Sequence, residues 1–251
     1  MTCERDDSGI TMGTLPPGSL ASKYDSVHRI ETDASARAKA FSPVQGALAI
    51  LKEKLEKHEG SLIDIGCGRG ELLLQSHDRF AAKVGLDFSE EFLHDAIALE
   101  NAHTKGERKV RWLLHDLNEP IPLPDESFDV AVSAACLEHV FDVYGVVREI
   151  SRLLRRDGVL YLSVPNIAYL KHRIRLLLGR QPVTASSQEL WWRDYWDGTH
   201  MHYFTLGSIR MLLEQTGFEY ASVTGSGKLD WLRNWMPSLL CGDLIVTARK
   251  K

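Results

Sequence analysis

The stretch Leu62–Leu73, LIDIGCGRGELL, decides the fold. It begins as a short apolar run, passes through glycines at 66, 68 and 70, and closes on Glu71 and two leucines. A strand that ends in glycines and runs straight into a helix brings bare backbone to the carboxyl edge of a sheet. Glycine has no Cβ to hold a ligand off, and the helix N-terminus offers unpaired N–H groups. The spacing is GxGxG, so the third glycine of the dinucleotide fingerprint GxGxxG is out of place. Asp64 stands two residues ahead of Gly66. A carboxylate there repels a pyrophosphate and suits a ligand carrying an ammonium group.

Outward from this stretch, strand and helix alternate. Lys83–Phe88 (KVGLDF), Val110–His115, Phe128–Ser133 (FDVAVS) and Gly158–Val164 (GVLYLSV) read as strands after Ser61–Ile65. Glu71–Phe80, Ser89–Asn101 with Ser89 as N-cap, and Val143–Leu154 read as the helices between them. Short, wholly apolar strands alternating with helices predict a parallel α/β sheet covered by helices on both faces. Upstream, Ala34–His58 patterns as a helix stopped by Gly60, and residues 1–22, rich in Gly, Ser, Thr, Pro and Asp, read as a flexible tail. Residues 23–251 then form one domain. Past Pro165 the rhythm breaks: 166–204 is basic and aromatic, and reads as a lid or substrate insertion. A helix over Leu206–Thr216 and strands over Phe218–Thr224 and Asp243–Ala248 complete the pattern.

Two further strand ends carry acids. Asp87 closes the strand after the glycine stretch, where a carboxylate can accept two hydrogen bonds from ribose hydroxyls. Asp116 closes the next, and with Leu117 it can hold an adenine between a polar edge and an apolar face. Alone, a glycine cluster is a tight turn and Asp87 a helix cap; three successive strand ends in this order point to a ligand.

The 251 residues are 44% hydrophobic and 25% charged, with a net charge of -4, ordinary for a globular domain and without the basic excess of a nucleic-acid binder; no nucleic-acid partner is expected. Cys3, Cys67, Cys136 and Cys241 are far apart, which excludes a cysteine zinc cluster or a disulfide framework and suits a reducing, cytoplasmic setting. The N-terminal stretch lacks the basic start and apolar core of a signal peptide, and no run reaches the roughly 18 apolar residues of a membrane span, so no transmembrane segment is expected. Leu170–Arg180, LKHRIRLLLGR, is basic and amphipathic enough for peripheral membrane contact.

Taken in order, LIDIGCGRGELL, VGLDFS, LLHDLNEPIPLPDESFDVAVSAACLEHV and LLRRDGVLYLSVPN resemble the class I S-adenosylmethionine-dependent methyltransferases over about residues 61–166. The resemblance implies a Rossmann-like seven-stranded sheet, mostly parallel with an antiparallel last strand. It also implies S-adenosylmethionine as cofactor, bound by Asp64, Gly66, Cys67, Gly68, Gly70, Asp87, Phe88, Asp116 and Leu117. LEHV at Leu137–Val140 looks like the branch that contains the ubiquinone-pathway O-methyltransferases. The later stretch, VPNIAYLKHRIRLLLGR through DGTHMHYFTLGSIRMLLEQTGF, is similar to methyltransferases of glycan and natural-product biosynthesis. The implied reaction is methylation of a small-molecule acceptor, at oxygen, on a sugar, glycan or natural-product intermediate.

Methyl transfer is a displacement at the sulfonium methyl, so the protein has to align the acceptor and take its proton. Histidine suits that task near neutral pH. His139 follows the fourth strand at the carboxyl edge; His200 and His202 lie in the insertion, at a spacing that shares one face of a strand. The bland alternatives are a backbone contact for His139 and pairing with Asp194 or Asp197 for the other two. Small-RNA 2′-O-methyltransferases hold a divalent ion with Glu-x-x-Glu-His and a distant histidine. Here Glu138 and His139 match the last two positions and His202 stands as the distant residue, but Ala135 replaces the first glutamate. Magnesium loses a hard oxygen ligand by that change, so no metal is expected. A metal-assisted RNA 2′-O-methyltransferase and a non-catalytic cofactor- or partner-binding protein of this fold remain the alternative readings. Trp191, Trp192, Trp196, Trp231 and Trp235 read as packing of the insertion or as an aromatic lid, with Arg173, Arg175, Arg180 and Arg193 available to an anionic group or to solvent.

Overall fold

A computed structural model describes residues 10–12, 42–76, 78–104, 109–184, 200–225 and 230–251. Residues 1–9 and 13–22 of the expected tail, the start of the helix expected from Ala34, and Trp191, Trp192, Arg193, Asp194, Trp196 and Asp197 lie outside the described residues.

The strands are β1 (Ile10–Met12), β2 (Gly60–Ile65), β3 (Phe80–Asp87), β4 (Val110–Leu114), β5 (Phe128–Ala134), β6 (Leu154–Pro165), β7 (Phe218–Gly225) and β8 (Asp243–Lys250). They form one sheet in the order β1-β4-β3-β2-β5-β6-β8-β7. Pairings from β1 through β6 are parallel, and β8 runs antiparallel to both β6 and β7. The helices are α1 (Ser42–Leu55), α2 (Glu71–Gln75), α3 (Glu90–Thr104), α4 (Val143–Leu153), α5 (Leu170–Leu177), α6 (Leu206–Gln215), α7 (Asp230–Trp235) and α8 (Pro237–Leu240). The seven expected strands are all present with the expected antiparallel last strand. The three-residue β1 adds an eighth at the edge of β4, from a stretch with no alternation to signal it.

Side chains alternate between two cores. Ile63 and Ile65 of β2, Val84 and Leu86 of β3, and Leu160 and Leu162 of β6 pack on one face with Val147 and Ile150 of α4 and Ile209 and Leu213 of α6. Leu62, Trp112, Val130, Val132 and Tyr161 pack on the other with Leu51 and Leu55 of α1 and Leu93 and Ala96 of α3. Both faces of the parallel strands are thus apolar, which is why those strands read as unbroken hydrophobic runs. Helix starts follow local chemistry: Asp142 accepts from Gly145 N at 2.8 Å ahead of α4, and Thr205 and Ser208 form a reciprocal capping box ahead of α6.

Two boundaries differ from expectation. Helix α2 stops at Gln75, and Phe80, expected in that helix, begins β3 buried in the core. Buried Lys83 of β3 donates through Nζ to the Ser76 carbonyl at 3.1 Å and the Leu73 carbonyl at 3.4 Å, satisfying the helix end with a cation from the strand. Strand β6 begins at Leu154 rather than Gly158, with Asp157 at φ 63° where its register against β5 shifts.

Strand β2 lies between β3 and β5, so the chain order reverses there, and in open α/β sheets the carboxyl ends of the strands at such a reversal form the ligand crevice. One wall of that region is set by a buried network. Glu100 of α3 accepts Lys109 N at 2.7 Å and Val110 N at 2.8 Å on Oε1, and Trp112 Nε1 at 2.9 Å on Oε2. Glu100→Ala leaves those three donors without their acceptor and is expected to cost about 3 kcal/mol or more of unfolding free energy. Urea denaturation checks this; a change within about 0.5 kcal/mol, as for an exposed residue, would show that the network does not hold α3 to β4.

Candidate functional site

The glycine loop folds over the end of β3: Gly66 N and Cys67 N both donate to the Leu86 carbonyl, at 2.8 and 3.0 Å. Gly66 and Gly70 have φ of 74° and 70°, and a Cβ on either would overlap a neighbour, the Cys136 side chain for Gly66 and the Trp112 indole for Gly70. Gly68 differs. A Cβ there would meet nothing within 4 Å, so the middle of the loop faces open space, and its N–H donates to Asp87 Oδ2 at 2.8 Å. Asp87 Oδ1 accepts Ser89 N at 2.9 Å, and Ser89 Oγ accepts Phe92 N at 3.3 Å as the expected N-cap of α3. One carboxylate therefore fixes both the loop and the next helix.

Asp64 and Asp87 are both buried in this crevice. Burial, and then the Asp87 carboxylate, pushes the Asp64 pKa up to about 7. A cation beside it would restore the ionised form. Burial, with Asp87 and Asp64 adding to it, likewise pushes the Cys67 thiol well up, so Cys67 offers a neutral surface rather than a thiolate. Phe88 and Leu117 are partly exposed at the ends of β3 and β4. Asp116 is buried, and its Oδ1 accepts both Asn118 N at 2.9 Å and Asn118 Nδ2 at 2.7 Å, which turns the chain after β4.

Across the switch point, β5 is followed by Ala135 at φ 53° and a 3-10 turn, Leu137–His139. Glu138 is 1% exposed. The chain returning from the insertion docks here, because Met201 N and His202 N both donate to the Glu138 carbonyl, at 2.8 and 3.2 Å. This brings His200 to His139, with ring centroids 4.7 Å apart edge to face. One ligand-type atom from each of Glu138, His139 and His200 lies within 4.8 Å of the others. Thr184 Oγ1 is 2.7 Å from His200 Nδ1. His202 takes another place: its Nε2 lies 2.9 Å from the Val140 carbonyl and 3.3 Å from that of Phe141, so this nitrogen donates to backbone. Two successive N–H groups sharing one carbonyl bend the chain out of a regular strand, and the spacing expected to keep His200 and His202 on one face does not do so.

Residues that sequence reasoning passed over complete the picture. Thr184 carries no motif, and Cys136, ahead of the 3-10 turn, and Trp112 of β4 back the glycines from positions remote in sequence. Asn166, at the end of β6, donates its N–H to the Gly242 carbonyl at 2.7 Å and its Nδ2 to Ser238 and Cys241 carbonyls at 3.0 and 2.9 Å. Arg175 of α5 is buried with Nε donating to the Gln181 carbonyl at 3.1 Å, so it is not part of a solvated face. Leu177 of the same helix and Trp231 and Trp235 of α7 are exposed, at 85%, 74% and 73%. Among the described residues no helix is long and apolar enough to cross a membrane.

An open, doubly wound sheet with this loop at its switch point defines a Rossmann-like domain. Residues 63–162 match the methyltransferase domain family. The chain is 30% identical over 120 residues to the uncharacterized methyltransferase YcgJ of Bacillus subtilis, covering 48% of this chain and 46% of that one. It is 23% identical over 182 residues to the human mitochondrial ubiquinone biosynthesis O-methyltransferase, covering 69% and 47%. The structure of the Burkholderia thailandensis 1,6-didemethyltoxoflavin-N1-methyltransferase, with bound 1,6-didemethyltoxoflavin and S-adenosylhomocysteine, superposes with a TM-score of 0.60 at 20% identity, over 92% of this chain and 87% of that one. The chain spans about half the length of the curated relatives it matches. Over residues 63–162 the chain is thus similar to a methyltransferase domain, and the relatives it matches there are named as methyltransferases.

The Asp64 shift has a sign that can be checked. Its folded pKa, about 7, lies above the ordinary 3.8, so the ligand-free folded chain holds this proton more tightly than the unfolded one. The resulting cost to stability is absent below the ordinary carboxylate pKa, grows as pH rises, and is complete above about pH 7. Asp64→Asn cannot ionise; its advantage in melting temperature over the parent should widen over that range and then level off. A difference independent of pH would overturn the assignment.

Proposed function

We propose that this chain is an enzyme that transfers the methyl group of S-adenosylmethionine to an oxygen of a small-molecule acceptor, a sugar, glycan or natural-product intermediate. The observation that carries the reading is the pairing of an open glycine loop with two buried carboxylates on one side of the switch point and a histidine pair on the other. Asp64 receives the ammonium group of the methionine moiety, and its raised pKa is the cost of waiting without that cation. Loop backbone around Gly66, Gly68 and Gly70 admits the ligand closely. Asp87 accepts from the ribose hydroxyls, and Phe88, Asp116 and Leu117 bound the adenine, with Cys67 a neutral wall.

The cofactor supplies an electrophilic methyl carbon on a cationic sulfur. The acceptor oxygen forms the new bond to that carbon as the carbon–sulfur bond breaks and its electron pair stays on sulfur. The protein's tasks are alignment and removal of the acceptor's proton, which falls to the imidazole of His139 or His200. His202, held on backbone carbonyls, keeps the returning segment in place. The well-separated free thiols of Cys67, Cys136 and Cys241 support a reducing, cytoplasmic setting.

Calorimetric titration tests the cofactor first. S-adenosylmethionine and S-adenosylhomocysteine are expected to bind and NAD is not; binding of NAD alone would overturn the reading. Asp87→Asn, similar in shape, is expected to weaken S-adenosylhomocysteine by about tenfold or more through lost ribose hydrogen bonds, and unchanged affinity would remove Asp87 from the site. With an acceptor in hand, His139→Ala is expected to lower kcat about 100-fold while cofactor affinity holds. An unchanged kcat would assign the proton to another group.

A further inference from the structure

We infer that Glu138, His139 and His200 form a binding site for one divalent transition-metal ion of the zinc class at the carboxyl edge of β5. The inference rests on the methyltransferase reading only for what the ion does there, not for its binding.

Geometry comes first. The three ligand-type atoms lie within 4.8 Å of one another. Ligands about 2.1 Å from a tetrahedral ion sit about 3.4 Å apart, so small side-chain rotations close the set. The donors come next. Two imidazoles and one carboxylate suit zinc, iron, cobalt or manganese, whereas magnesium prefers oxygen. This departs from the metal-free expectation, which weighed a magnesium-like set with His202 as the distant member. Ala135 contributes no ligand, but His200, not His202, supplies the second nitrogen.

The surrounding chain holds the set together. Glu138 and His139 share a 3-10 turn, and the Glu138 carbonyl takes the N–H groups of Met201 and His202, the two residues after His200. His202, bound to the Val140 carbonyl, clamps the returning segment on its far side. Thr184 Oγ1, 2.7 Å from His200 Nδ1, is the outer partner that fixes the ring orientation of a ligating histidine. Three protein ligands leave positions open, as in catalytic rather than structural metal sites. An ion there would lower the pKa of an acceptor hydroxyl that reaches it; with the ion bound His139 and His200 serve as its ligands, and their role as base belongs to the ion-free chain.

The test uses the full chain, stripped with a chelator and equilibrated with zinc or cobalt(II). Ion content is read by elemental mass spectrometry, and ligation by the visible absorption of the cobalt form. One ion per chain is expected. Glu138→Gln and His200→Ala should lower affinity by more than the about 100-fold that loss of an outer partner can cost, and Thr184→Val by about tenfold. His202→Ala should keep the ion, because it removes a clamp and not a ligand. Melting temperature and S-adenosylhomocysteine affinity report whether each variant folds. An ion-free parent chain, or variants that bind as well as the parent, would reduce the cluster to a hydrogen-bonded His–Glu group and overturn the site. S-adenosylhomocysteine binding by the stripped chain would leave the methyltransferase reading standing in that event. Ion binding without S-adenosylhomocysteine binding would sink the methyltransferase reading and keep the site.

Discussion

The indole of Trp112 is wedged against two chain segments that a side chain would push away: Gly70 at the end of the loop and Gly85 in the middle of β3. Its ring nitrogen is held by buried Glu100, which also takes the first two N–H groups leading into β4. A large ring fixed at one end and pressed by glycine at the other leaves the loop one position, and the start of α2 follows from it. The crevice therefore rests on packing beneath it. Gly68 faces open space, while Gly66 and Gly70 on either side are closed in by Cys136 and Trp112.

Around that crevice the chemistry divides by strand. β2, β3 and β4 contribute acids and backbone, and their carboxylates crowd one another: Asp64 is pushed toward neutrality by burial and by Asp87. Asp87 is tied to two backbone N–H groups, which stabilise its charge beside Asp64. β5 and the returning segment contribute nitrogen donors around one buried glutamate. The two halves meet at the reversal of strand order, the position at which open α/β sheets take their ligands.

The parallel strands were legible because two-sided burial makes them unbroken apolar runs, and the loop was legible because few backbones need glycine at every second position. What escaped depends on long-range contact. Nothing around Ile10–Met12 marks an edge strand, since its pairing is through backbone to β4. Phe80 reads equally well at the end of a helix or the start of a strand, and Lys83 decides it by capping α2 from β3. The choice between His200 and His202 hangs on a carbonyl shared by Met201 and His202, which no local pattern announces. Thr184 matters only through the fold, and the tryptophans clustered before His200 lie outside the described residues.

The insertion between β6 and α6 is closed at its base. Asn166 pairs with Phe204, and Ile167 N donates to the Phe204 carbonyl at 2.9 Å, so the chain leaves the sheet and rejoins it at nearly the same place. Closing a loop costs entropy that grows only with the logarithm of its length, about 0.6 kcal/mol per doubling. A pinned base thus separates two kinds of change. Residues between the pins can lengthen, shorten or exchange with little effect on the sheet, while the pins keep His200 in register with the strand ends. The segment between the pins is in that sense a replaceable module, and the sheet with its glycine loop a fixed one.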